Sequence, residues 1–110
     1  METPPKEKKY DLEERTFQFA RNVRNLLKSL PSNSVNPDDR IQLSRSSGSV
    51  AANYVEANEA ISTKDFGMRI KISRKEARES HLWLRLVKDQ VDPHFHPEVD
   101  KLADEAHQLV

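Results

Sequence analysis

The sequence predicts an all-α protein, an antiparallel up-down four-helix bundle, on three observations. Its six prolines fall in pairs that punctuate the chain, Pro4 and Pro5 near the start, Pro31 and Pro37 in "LPSNSVNPDD", Pro93 and Pro97 in "DPHFHPEV", and the cap signal "ISTKDF" adds a further break, which makes four stretches. Between these breaks apolar residues recur every three or four positions, the spacing of one helix face. No run alternates polar and apolar residues as a strand would, and no hairpin turn pair occurs. At 110 residues the chain holds one hydrophobic core and so one domain.

Residues 1–10 read as a disordered N-terminal segment and residues 11–110 as the bundle domain. The first helix is expected over about residues 11–30, because Leu12, Thr16, Phe19, Val23, Leu26 and Leu30 form a single seam. The second runs over about 38–60, opened by Pro37 near its first turn and by Asp38 and Asp39 facing the positive helix end. The third spans about 63–90, with Ser62 or Thr63 as the cap and Asp65 in the first turn. The fourth covers about 97–109, where Val99, Leu102, Ala106 and Leu109 keep an apolar stripe behind Pro97.

Charged residues make up 33% of the chain and cancel to a net charge of zero, and there is no cysteine. Disulfides and thiolate metal sites are thereby excluded, and a reducing, cytoplasmic location is expected. No segment approaches the roughly 18 apolar residues of a membrane span. The charge is uneven along the chain. Between residues 61 and 90, Lys64, Arg69, Lys71, Arg74, Lys75, Arg78, Arg85 and Lys88 outnumber Asp65, Glu76, Glu79 and Asp89.

The third helix has three distinct sides. Phe66, Ile70, Ser73, Ala77, Leu84, Val87 and Val91 gather on one face, enough to meet a bundle core. Met68, Ile72, Leu82 and Leu86 gather on a second, with Trp83 on its flank. That is more apolar surface than a lone bundle leaves wet, and it predicts a subunit interface and a homo-oligomer. The remaining flank carries Lys64, Lys71, Arg74, Arg78, His81, Arg85 and Lys88. An ordinary solvated face interleaves acids with its bases, whereas this one has a single sign. With Arg21, Arg24 and Lys28 on the first helix, it makes RNA or DNA the expected partner.

The second helix carries "RSSGSVAANYVEA". Ile41, Ser44, Ser47, Gly48, Ala51 and Val55 share a face of mostly small side chains, which predicts close approach of another helix backbone there. A mid-helix glycine costs about 1 kcal/mol relative to alanine, and close approach would compensate for it. Beside that face, Arg45, Ser49, Asn53 and Glu56 form a polar stripe whose natural partners are Lys75, Glu76 and Glu79 of the third helix. The stripe reads as a structural polar network that fixes helix register.

Catalytic machinery is not evident: there is no cysteine nucleophile and no glycine-rich phosphate loop. His94, His96 and Glu98 in "HFHPEVD" read as surface residues rather than zinc ligands. Glu56, Glu76 and Glu79 lack the Glu-x-x-His units of carboxylate-bridged metal bundles. No enzyme, metal or cofactor is expected.

Taken in order, "YDLEERTFQFA", "LPSN", "RSSGSVAANYVEA" and "STKDFGMRIKISRKEARESHLWLRLVKD" resemble the four helix bundle family encoded by intervening sequences within bacterial large-subunit ribosomal RNA genes. The resemblance covers roughly residues 10–90. It implies a bundle that assembles as a ring-shaped homopentamer. Relatives include the accessory protein of diversity-generating retroelements, which binds nucleic acid and a reverse transcriptase, so a protein partner of that kind is implied as well. By position, Arg45, Asn53, Glu56 and Glu79 match the family's polar markers, while Ala57 stands where many relatives have glycine. Two readings follow: a non-enzymatic oligomer that binds structured RNA or DNA, or a scaffold for protein interaction without nucleic acid.

Overall fold

The computed structural model describes residues 4–110, with side chains described from Asp11 onward. It contains α1 (Pro4–Ser29), α2 (Pro37–Asn58), α3 (Thr63–Lys88), a single 3-10 turn (Pro93–Phe95) and α4 (His96–Gln108). All elements among the described residues are helical. α1 begins ahead of the expected Asp11, with Pro4 and Pro5 in its first turn, where a missing N–H leaves no hydrogen bond unmade. Of the segment expected to be disordered, residues 1–3 lie outside the described residues.

The helix starts follow local chemistry. Asn36 caps α2, its side-chain oxygen accepting from the Asp38 N–H at 2.8 Å and from the Asp39 N–H at 3.4 Å. Ser62 rather than Thr63 caps α3, accepting from the Asp65 N–H at 3.0 Å. The Asp92 carboxylate does the same for the 3-10 turn, accepting from the His94 N–H at 3.0 Å. That bond, helped by the His94 ring, holds the Asp92 carboxyl below the usual carboxylate range. The carbonyls at the end of α1 are taken up by Arg40, which donates to Leu27 at 2.9 Å and to Pro31 at 2.7 Å. Gln90, just past α3, ties the α3–α4 turn to the start of α2 at the same end: its amide donates to Asp39 at 2.8 Å and its oxygen accepts from the Asn36 N–H at 2.7 Å.

α2 packs against α1 and α3, and α4 against α3 and α1, so each helix has two neighbours. The core between them is built from Phe19, Val23 and Leu26 of α1, Leu43 and Val50 of α2, Leu84 and Val87 of α3, and Val99 and Leu102 of α4. Between α2 and α3 the contacts involve serine: Ser46 and Ser80 share a buried 2.8 Å hydrogen bond, and Ser73 donates to the Val50 carbonyl at 2.9 Å. Small hydroxyl side chains let the two helices approach while each buried oxygen keeps a partner. Position 46 meets 80 and position 50 meets 73, so these two helices run in opposite directions.

Phe66, expected in the core, is 43% exposed. It lies in the first turn of α3, well past the level of His81 where α4 ends, and its ring lines an open recess instead. The core face of α3 is continuous only from Ser73 to Val87, where Ser73, Ala77, Leu84 and Val87 are all buried.

Candidate functional site

The outward side of α3 presents its charge and its apolar surface side by side. Lys71, Arg74, Arg78 and Arg85 are all exposed, and among the described residues none of them forms an ion pair. Lys88, at the end of the same row, is engaged with Asp100 of α4 at 2.9 Å. Arg78, His81, Leu82 and Arg85 border a groove of about 330 Å³ that is closed on the α4 side by His107. The His81 and His107 rings stand 5.9 Å apart, tilted by 50°.

The α1 cations lie on a different seam. Arg21 sits over the Phe17 ring at 5.4 Å and bonds to Gln18, and Lys28 is exposed in the last turn. Arg24, expected on the anion-facing stripe, instead spans the gap to α2: it donates to the Ala20 carbonyl and the Ser44 carbonyl, each at 3.2 Å. One basic edge therefore follows the α1–α2 seam and the other the α3–α4 seam. Within one subunit the two do not merge.

Arg24 also explains Gly48. A Cβ built at Gly48 would stand 2.9 Å from the Arg24 Nη2, so the close approach expected there is made by a guanidinium and not by a helix backbone. Ile41 and Val55, at either end of the small-residue face, remain exposed. Because the clashing atom is the far end of a flexible side chain, Gly48→Ala is expected to displace Arg24 and still raise stability. The gain in helix propensity, up to about 1 kcal/mol, exceeds the loss of one long, solvent-accessible hydrogen bond. Urea denaturation measures it, and a loss of more than about 0.5 kcal/mol would show that the Arg24 bridge matters more than its geometry suggests.

On the second side of α3, Met68 is 54%, Leu82 46% and Leu86 38% exposed. Ile72 is half-buried. Trp83, expected on the flank of this patch, packs against the core instead, and among the described residues its buried indole N–H has no acceptor. Residue 83 is one position from Leu84, so a large ring placed there reaches inward along the boundary between faces.

The polar stripe of α2 meets α3 in two places. Arg45 lies 3.7 Å from Glu76 and 3.5 Å from Glu79, and Gln42 steadies its guanidinium at 3.3 Å. Glu76 is buried, so Arg45 is the cation that offsets its charge. Lower down, Asn53 donates to the Ser49 carbonyl at 2.9 Å and accepts from Arg69 at 3.3 Å. Arg69 was missed from sequence because it falls outside the basic row. Glu56 and Lys75 are both exposed and make no ion pair among the described residues.

At the far end, Arg15 grips Glu105 at 2.7 and 3.0 Å and Gln108 at 2.9 Å, joining α1 to α4. The hydrogen bond to Glu105 raises the Arg15 pKa further. The Tyr54 phenol nearby is pushed up by burial and by the Glu13 charge. Arg15, Tyr54 and Gln108 border a recess of about 300 Å³ that Leu12, Phe66, Ile70 and Leu109 also line. The histidines of the 3-10 region are engaged locally: His94 with Asp92 at 3.2 Å, and His96 with the Lys88 carbonyl at 3.1 Å. Among the described residues, no three acidic or histidine side chains gather as a metal site would require.

Residues 8–109 match the family model of the 23S rRNA-intervening sequence protein. The chain belongs to that family. A solved structure from Bacteroides thetaiotaomicron, described as a protein of unknown function from the S23 ribosomal protein family, is similar throughout. It is 26% identical with a TM-score of 0.78, over 89% of this chain and 90% of the other. No curated protein is significantly similar to the chain. For this 23S rRNA-intervening sequence family member, no helix among the described residues is long and apolar enough to cross a membrane.

Proposed function

We propose that this chain is the subunit of a non-enzymatic, cytoplasmic homo-oligomer that binds structured RNA or DNA through its basic edges. In this reading the subunit is an antiparallel up-down four-helix bundle and the assembly a ring-shaped homopentamer, as the family resemblance implies. The observation that carries the reading is the exposed, single-sign row of Lys71, Arg74, Arg78 and Arg85 beside the exposed apolar patch of Met68, Leu82 and Leu86. Covering the apolar patch with a neighbour would bring the basic rows of successive subunits into one repeating surface, and a polyanion gains from repetition. A reverse transcriptase, as in the related retroelement accessory proteins, is the kind of protein partner the resemblance suggests.

Converting Arg74 and Arg78 together to alanine is expected to weaken binding of a folded RNA by tenfold or more. It should also flatten the dependence of log K on log salt by about two for each subunit engaged. Anisotropy titrations across a salt series measure both. Affinity that ignores salt and the double substitution would end the proposal.

The second reading is a scaffold without nucleic acid, and the Lys88–Asp100 pair favours it by showing that cations of this row accept carboxylate partners. It requires Arg74, Arg78 and Arg85 to meet acids of a neighbouring subunit. Folded RNA would then fail to bind at low salt.

A further inference from the structure

We propose that the groove between α3 and α4 is a phosphate subsite whose strength is set by pH, with Arg78 and Arg85 as permanent cations and His81 and His107 as cations added on acidification. The ligand is a backbone phosphate of a nucleic-acid strand, so the inference rests on the nucleic-acid reading above. It adds a specific site, a residue of α4 outside the basic row, and a regulation.

Four basic side chains converge here from two helices. Arg78, His81 and Arg85 follow one another at three- and four-residue spacings on α3, and His107 comes across from α4 to within 5.9 Å of the His81 ring. The groove is concave, about 330 Å³, and meets the apolar patch only at Leu82. Guanidinium forks suit phosphate oxygens, and a concave site surrounds the ligand in a way a flat row cannot. Among the described residues neither imidazole has a hydrogen-bond partner, which leaves their N–H groups able to point at an anion.

The charged groups around the two rings are few. From α3 they are Arg78 and Arg85. On α4, Asp104 lies one turn before His107 and accepts from the Gln108 amide at 3.0 Å. In the adjoining recess Asp100 is paired with Lys88 at 2.9 Å, and Asp89 lies beyond it. Among the described residues no acidic side chain borders the groove; its remaining lining residue is Val110, which carries a main-chain carboxylate.

Histidine is the side chain whose charge changes between pH 5 and 8. Two charged rings at this separation repel each other, and an anion placed between them removes that penalty. Phosphate binding therefore draws protons onto the pair, and by reciprocity protons tighten phosphate binding. A phosphodiester keeps its single negative charge throughout this range, so the protein's titration alone sets the trend.

The test uses the full chain and a fluorescein-labelled RNA hairpin, titrated by anisotropy at pH 8, 7 and 6 at constant ionic strength. The wild type is expected to bind at least tenfold more tightly at pH 6 than at pH 8, with a salt slope steeper by about one to two at pH 6. His81→Asn with His107→Asn should abolish that gain, whereas His94→Asn with His96→Asn should keep it. Calorimetry in two buffers of different ionisation enthalpy should show net proton uptake on binding. No binding at any pH would overturn the nucleic-acid reading and this inference with it. Binding with no gain on acidification, or a gain that survives the His81 and His107 substitutions, would overturn the phosphate subsite alone and leave the broader reading in place.

Discussion

Replacing Leu84 by alanine should lower the unfolding free energy by about 2–5 kcal/mol. Leu84 has no exposed surface, and it belongs to the single buried core to which the other three helices contribute residues such as Phe19, Leu43 and Val99. The deletion removes methyl groups from a close-packed interior whose remaining walls belong to four different helices. Partial collapse of the cavity would need several helices to shift at once, which places the cost toward the upper end of the range. In urea, at fixed protein concentration, the midpoint should fall by about 1 M or more. A fall under about 0.3 M would mean that the core tolerates a void at its centre and that the helices are held mainly by their polar contacts.

The core was legible because it depends on spacing. From Thr16 to Leu30 the first seam, and from Val99 to Ala106 the α4 stripe, are buried where the three- and four-residue periodicity placed them, while Leu12 and Leu109 at their outer ends are half-buried. The α1–α2 and α3–α4 loops followed from their prolines and the α2–α3 loop from the Ser62 cap, and the ends of α2, α3 and α4 fall within two residues of expectation. Periodicity says nothing about where the tip of a long side chain goes. Arg24 shares a helix stripe with Arg21 and Lys28, yet its guanidinium reaches two carbonyls on different helices and lies over Gly48. Lys88 belongs to the α3 row by position and to Asp100 by contact. Phe66 is in phase with the core but beyond the end of the neighbouring helix that would cover it. His107 could not be joined to the basic row from sequence, because only the packing of α4 on α3 brings it beside His81.

Leu82→Glu is the substitution expected to separate assembly from folding. Leu82 is two residues from Leu84 but on the opposite side of α3, where it is 46% exposed within the subunit. A glutamate there should change subunit stability by no more than about 0.5 kcal/mol, since solvent continues to reach the position. If Met68, Leu82 and Leu86 are the surface a neighbouring copy covers, the same carboxylate must be desolvated at an apolar contact, at several kcal/mol per interface. A cost of 3 kcal/mol weakens association by roughly 150-fold, and a ring repeats it at every interface.

Arg78 and Arg85 flank position 82 at one helical turn on either side, so a glutamate gains some relief from intrahelical pairing. Leu82→Lys lacks that relief and adds like charge, so it should dissociate the assembly more completely. Light scattering is expected to report a multiple of 12.7 kDa for the wild type and about 12.7 kDa for both variants, with helical circular dichroism unchanged. Wild-type protein that already scatters as a 12.7 kDa particle at micromolar concentration would mean the apolar side of α3 stays in water, and the oligomeric platform proposed for nucleic acid would be lost. Dissociation by glutamate but not by lysine would point instead to a contact governed by charge, with acids of the neighbouring subunit facing Arg78 and Arg85.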